Sequence, residues 1–86
     1  MQKSIHTPEY RLLVEMLRQE REARGVTQAA LAERLGITAS QLSKWERRER
    51  RIDLREMALY CEAAGIEMCQ FIQEWKKSAF PGDSSV

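Results

Sequence analysis

Between Thr27 and Glu46 the chain reads TQAALAERLGITASQLSKWE, and this stretch constrains the fold more than any other. Thr27 suits an N-cap, where a hydroxyl accepts from a backbone N–H that has no helical partner. Ala29, Leu31, Ala32 and Leu35 follow as an apolar stripe, and Gly36 stands where a helix end needs left-handed backbone. Thr38 then opens a second helix, and Thr38 with Gln41 fits a capping box, in which side chains and backbone satisfy each other's orphan groups. Helix, glycine corner and capped helix together make the sequence form of a helix-turn-helix.

Spaced at helical pitch, residues 39–47 divide into two faces. Leu42, Trp45 and Glu46 fall on one side. Ser40, Ser43, Lys44 and Arg47 fall on the other, at i, i+3, i+4 and i+7. An ordinary surface helix also turns polar residues outward, so periodicity alone leaves the use of that face open. A capped N-terminus, small polar residues close to it and the basic run Arg47-Arg48-Glu49-Arg50-Arg51 together point to a nucleic acid.

From about Leu17 to Ile72 the sequence resembles the DNA-binding domain of the phage-repressor-like (Cro/C1, or XRE) family. The resemblance is carried by Arg24-Gly25, Thr27-Gln28, Leu31-Ala32, Leu35-Gly36, Leu42-Ser43 and Trp45-Glu46. It implies an all-α, compact five-helix lambda-repressor-like DNA-binding domain. It also implies that Ala39, Ser40, Gln41, Ser43 and Lys44 face bases in the major groove, with Lys44 donating to guanine and Ala39 touching a thymine methyl. Gln28 at the start of the second helix, Thr38, and Arg47, Arg48, Arg50 and Arg51 are then the expected phosphate contacts. Arg21 matches an arginine that pairs, in many relatives, with the glutamate after the aromatic, here Glu46, as a structural salt bridge. The chain departs from the family at several positions. Ala39 replaces a glutamine or arginine, Arg48 a glycine, Ile52 a proline, and Leu59 a polar residue.

Eighty-six residues allow one small domain whose core is marginal. The expected division is an N-terminal arm over 1–7, a five-helix domain over 8–77 and a loose tail over 78–86. Thr7-Pro8-Glu9 starts the first helix, which continues to about Arg24 with Tyr10, Leu13, Val14 and Leu17 inward. Asp53 and Glu56 cap a fourth helix that stops at Gly65, and a fifth covers about residues 67–76. Formal net charge is only +1, so affinity for a polyanion has to come from local placement of cations. The two cysteines, Cys61 and Cys69, are too few for a zinc site, and reduced thiols in a cytoplasmic protein are expected. No apolar run approaches the ~20 residues of a membrane span. His6, the one histidine, is expected to be a solvated arm residue.

No nucleophile–base–acid set, phosphate-cradling glycine loop or metal cluster is evident, so neither catalysis nor a cofactor or small-molecule ligand is expected. Leu59, Met68 and Trp75 are the candidate dimer interface, because surplus apolar groups on a small domain suggest self-association. Alternatively, Trp75 folds back on its own domain. A homodimer would bind a near-palindromic operator. The expected function is that of a small repressor-type transcriptional regulator. An antitoxin or restriction-control protein of the same fold is one alternative, and a protein-interaction adaptor that has lost DNA binding is another.

Overall fold

The computed structural model describes residues 7–83. The arm over 1–6, His6 included, and the last residues of the tail, 84–86, lie outside the described residues. Five helices follow one another: α1 (Pro8–Ala23), α2 (Gln28–Leu35), α3 (Ala39–Glu46), α4 (Leu54–Ala64) and α5 (Met68–Ala79). A short 3-10 turn, Pro81–Asp83, comes after them. No strand occurs among the described residues.

Each helix start has a side-chain acceptor for an orphan N–H. Thr7, Thr27 and Glu67 cap α1, α2 and α5, while Thr38 with Gln41 and Asp53 with Glu56 form complete capping boxes on α3 and α4. Gly36 and Gly65 end α2 and α4 in the left-handed region, with φ of 72° and 81°. Two arginines, one just after α1 and one in α2, reach the carbonyl end of α4. Arg24 Nε donates to Gly65 O at 2.9 Å and Arg34 Nη1 to Ala63 O at 2.7 Å. Cations there also suit the negative end of the helix dipole.

The core gathers Leu17, Leu31, Leu42, Trp45, Tyr60, Cys61, Ile66 and Phe71, drawn from every helix and from the α4–α5 turn. Helix α2 packs on α3 and α4, while α1 packs on α5 and α3. This leaves α3 held from behind by α1 and α2, with its other side free.

Two stretches extend the reading from sequence. α3 ends at Glu46, so Arg47 is its C-cap and Arg48 stands in the left-handed region at φ 61°. A side chain there costs on the order of 1 kcal/mol, which a longer helix would have avoided. At the other end, α5 continues to Ala79 rather than stopping near Lys76. Trp75 Nε1 donates to Glu9 O at 2.9 Å, and the Trp75 and Phe80 rings meet edge to face at 5.7 Å. These aromatic contacts tie the last helical turn to the first.

Candidate nucleic-acid interface

The outward side of α3 is open. Ala39, Ser40, Gln41, Lys44 and Arg47 are exposed and Ser43 is half-buried, whereas Leu42, Trp45 and Glu46 are buried. Thr38, exposed at the helix start, accepts from Gln41 N–H at 3.0 Å, and Gln41 Oε1 accepts from Thr38 N–H at 2.9 Å. Gln41 therefore faces outward with only its amide NH₂ uncommitted. As a donor it suits guanine O6 or N7 or thymine O4. A two-point pairing with adenine would require opening the capping box.

Behind that face lies a single carboxylate with four donors. Glu46 is 8% exposed and Arg21 5%. Arg21 Nε reaches Glu46 Oε2 at 2.8 Å, and Arg21 Nη2 reaches Oε1 at 2.9 Å. Gln28 Nε2 also donates to Oε1 at 2.9 Å, and the fully buried Tyr60 hydroxyl donates to Oε2 at 2.7 Å. Arg21 Nη1 goes to Val26 O at 2.7 Å. Burial pushes the Glu46 carboxyl up, but the bonds from Arg21, Gln28 and Tyr60 outweigh it and hold the group below its usual range. Burial first, and Glu46 beside it second, push the Tyr60 phenol upward, so it stays a donor. One acid thus joins α1, α2, α3 and α4, and fixes the angle at which α3 stands out from the body.

Gln28 is consequently occupied. Its side chain is half-buried and turned toward Glu46, which leaves the backbone N–H groups at the start of α2 as the anion-facing part of that helix.

The cations after α3 sit in different surroundings. Arg47 pairs with Glu49 at 3.1 Å, with both side chains more than half exposed. Arg48 is half-buried and turns toward α1, lining a shallow groove with Pro8, Arg11, Leu12 and Glu15, and its Nε is buried without a hydrogen-bond partner. Arg50 forms a two-point pair with Glu56 at 3.0 and 2.8 Å, and its guanidinium lies 5.6 Å from the centre of the Trp45 ring. Arg51 is exposed and, like Lys44, forms no ion pair within 4 Å among the described residues. The loop itself is fixed by Ile52 N–H, which donates to Tyr10 Oη at 2.9 Å.

Residues 17–71, more than half the chain, match the model of the helix-turn-helix family. An XRE-family like protein from Pseudomonas syringae pv. tomato str. DC3000 has a similar solved structure. It is 35% identical, with a TM-score of 0.81 over 87% of this chain and 92% of that one. The chain belongs to the XRE helix-turn-helix family. No curated protein matches the sequence. XRE-family proteins are DNA-binding regulators, and in this XRE-family domain α2 and α3 are the helix-turn-helix pair.

Among the candidate dimer residues, Leu59 is 37% exposed, Met68 is half-buried against the core, and Trp75 is half-buried with its indole engaged by α1 and Phe80. Leu54 and Phe80 are further exposed apolar side chains. Among the described residues no cluster of His, Cys, Asp and Glu could hold a metal ion, and no helix is long and apolar enough to cross a membrane.

Helical spacing places Tyr60 on the inner side of α4 and Glu56 in its capping box, and marks no further partner for either. A tyrosine deep in a core needs a partner for its hydroxyl, and that was the available signal for Tyr60. No spacing rule marks the Arg50–Glu56 pair, because a loop separates the two residues.

Proposed function

We propose that this protein is a sequence-specific regulator that reads the major groove of duplex DNA with α3, as a small repressor acting in the cytoplasm. The observation that carries the reading is the free serine-and-lysine side of α3, backed by a buried four-donor carboxylate. A recognition helix has to meet base edges at a fixed angle, and a rigid mount fulfils that need. Lys44, exposed and without an ion pair among the described residues, is the strongest candidate for a base contact, with Ser40, Ser43, the Gln41 NH₂ group and Ala39 beside it. Arg47 and Arg51, Thr38 and the N–H groups at the start of α2 are the proposed phosphate anchors, with Arg48 at the edge of the same surface.

Two copies would put their α3 helices one DNA turn (~34 Å) apart on a near-palindromic operator. Leu59 in α4 supports that homodimer, because it leaves apolar surface in water.

Titration of duplex DNA selected from a random pool, at 50 and 200 mM salt, tests the reading. Affinity should fall steeply with salt, by a log–log slope of about −0.9 for each phosphate neutralised. The Lys44→Ala variant should lose about 1–3 kcal/mol on the selected site and relax preference at one base position. Failure to bind any duplex at 50 mM salt would sink the regulator and leave a protein-interaction adaptor. A uniform loss over all sequences for Lys44→Ala would move Lys44 from the bases to the phosphates.

A further inference from the structure

The pairing of Arg50 with Glu56 changes what the basic run can do. A cation counts toward binding DNA when it displaces counterions from phosphates, and one held by an anchored carboxylate must first leave it, whereas an ion pair with both side chains in water, such as Arg47 with Glu49, opens at little cost. Both terminal nitrogens of Arg50 face Glu56, at 3.0 and 2.8 Å, and the guanidinium lies over Trp45 at 5.6 Å. Glu56 is itself fixed, because its Oε1 accepts from Asp53 N–H at 3.0 Å in the α4 capping box. The Glu56 side chain is only 14% exposed against 53% for Arg50, so the acid is the anchored partner and the arginine the mobile one. The pair borders a cleft of about 310 Å³ whose other walls are Ile37, Gln41, Lys44 and Trp45. It therefore sits directly beside the proposed reading face.

We propose that Glu56 holds Arg50 back from the DNA backbone and so limits affinity. This rests on the DNA-binding reading above and deepens it. Drawing Arg50 onto a phosphate would leave the Glu56 carboxylate unpaired at the rim of a polyanion, so the pair opposes the move from both sides. Lower backbone affinity leaves a larger share of the binding to base contacts, which sharpens discrimination between sites. Glu56 thus acts as a positioning residue for a cation, and touches no base or phosphate itself.

Glu56→Gln isolates the effect, since glutamine also completes a capping box and keeps α4 capped while removing the charge. Arg50→Met is the second variant; it keeps an aliphatic cover over Trp45. Binding to a selected duplex is measured at 50 and 200 mM salt, with thermal melts showing that each variant is folded. Glu56→Gln should bind several-fold more tightly at 50 mM, and its log–log salt slope should steepen by about 0.9. That gain should shrink about three-fold at 200 mM. Arg50→Met alone should not steepen the slope and should weaken binding, because it leaves the Glu56 carboxylate unpaired beside the DNA, and the double variant should return to the wild-type slope. Unchanged or weaker binding by Glu56→Gln overturns the proposal, because the acid would then be neutral or would present Arg50 to the backbone. A gain that survives in the double variant also overturns it, since loss of one negative charge would suffice. Wild-type binding without the Glu56→Gln gain removes this inference alone, whereas absence of wild-type binding removes the regulator reading and this inference with it.

Discussion

Replacing Arg21 with methionine would test the mounting of α3 most directly. Methionine keeps apolar bulk along the arginine stem, so the main loss is the guanidinium and its three hydrogen bonds, two to Glu46 and one to Val26 O. Breaking a buried ion pair by removing one partner costs about 3–5 kcal/mol, chiefly for the stranded charge. Gln28 and Tyr60 still donate to Glu46, which places the expected loss near the lower end, about 3 kcal/mol. A domain of this size has on the order of 5–15 kcal/mol in total, so urea melts followed by helical circular dichroism should register a large fall in midpoint. The pH dependence supplies the sharper check. In the wild type the Glu46 carboxyl is held below its ordinary 4.5, so its contribution is complete above that value and is lost as pH falls through the lowered one. Without Arg21, burial is less well opposed and Glu46 takes up a proton more readily. The variant's deficit should therefore be largest near pH 7 and shrink toward pH 4. A deficit below about 1 kcal/mol at pH 7, or one equal at both pH values, would refute the stranded-charge account.

Arg48→Gly should raise stability by about 1 kcal/mol in thermal melts, because it relieves left-handed backbone at a residue whose Nε has no partner. Trp75→Phe should cost about 1 kcal/mol for the bond to Glu9 O, with an unchanged sedimentation profile; a shifted profile would move Trp75 into a subunit interface. Alkylation at pH 8 should label Cys69 quickly and Cys61 slowly, since Cys69 is exposed while burial pushes the Cys61 thiol up to about 11. Equal labelling rates would mean that the core around Cys61 opens readily.

Legibility followed how local the controlling interaction was. Caps and glycine stops act within four residues, so Thr27, Gly36, Thr38 with Gln41, Asp53 with Glu56 and Gly65 all mark helix ends that the structure has. The inner stripes were legible for the same reason, because helical spacing sorts Leu42 and Trp45 from Ser40 and Lys44 within one element. What each polar side chain does once the elements meet was not legible. Gln28 at the start of α2 has the position of a phosphate contact and the geometry of a Glu46 donor, and only the approach of α3 decides between them. Arg50 likewise belongs to a cationic run in sequence and to a neutral pair in space. Composition counts both as available polar groups, which overstates what the surface offers to a polyanion.

The loop after α3 shows why the departures at Arg48 and Ile52 belong together. In relatives that this chain resembles, glycine and proline shape the loop through their own backbone preferences, needing no help from elsewhere. Here neither is present, and the same course needs outside support. Ile52 retains an N–H that proline would lack, and Tyr10 Oη accepts it. Arg48 adopts φ 61° and lays its side chain beside Pro8, Arg11 and Leu12. Both supports come from the first turns of α1, and Trp75 in turn binds that end of α1 through Glu9 O, with Phe80 edge to face against its ring. The shape of the loop after α3 is thus set by contacts made far away in sequence. Removing the Tyr10 hydroxyl would leave a part-buried N–H without its acceptor at the point where the loop enters α4.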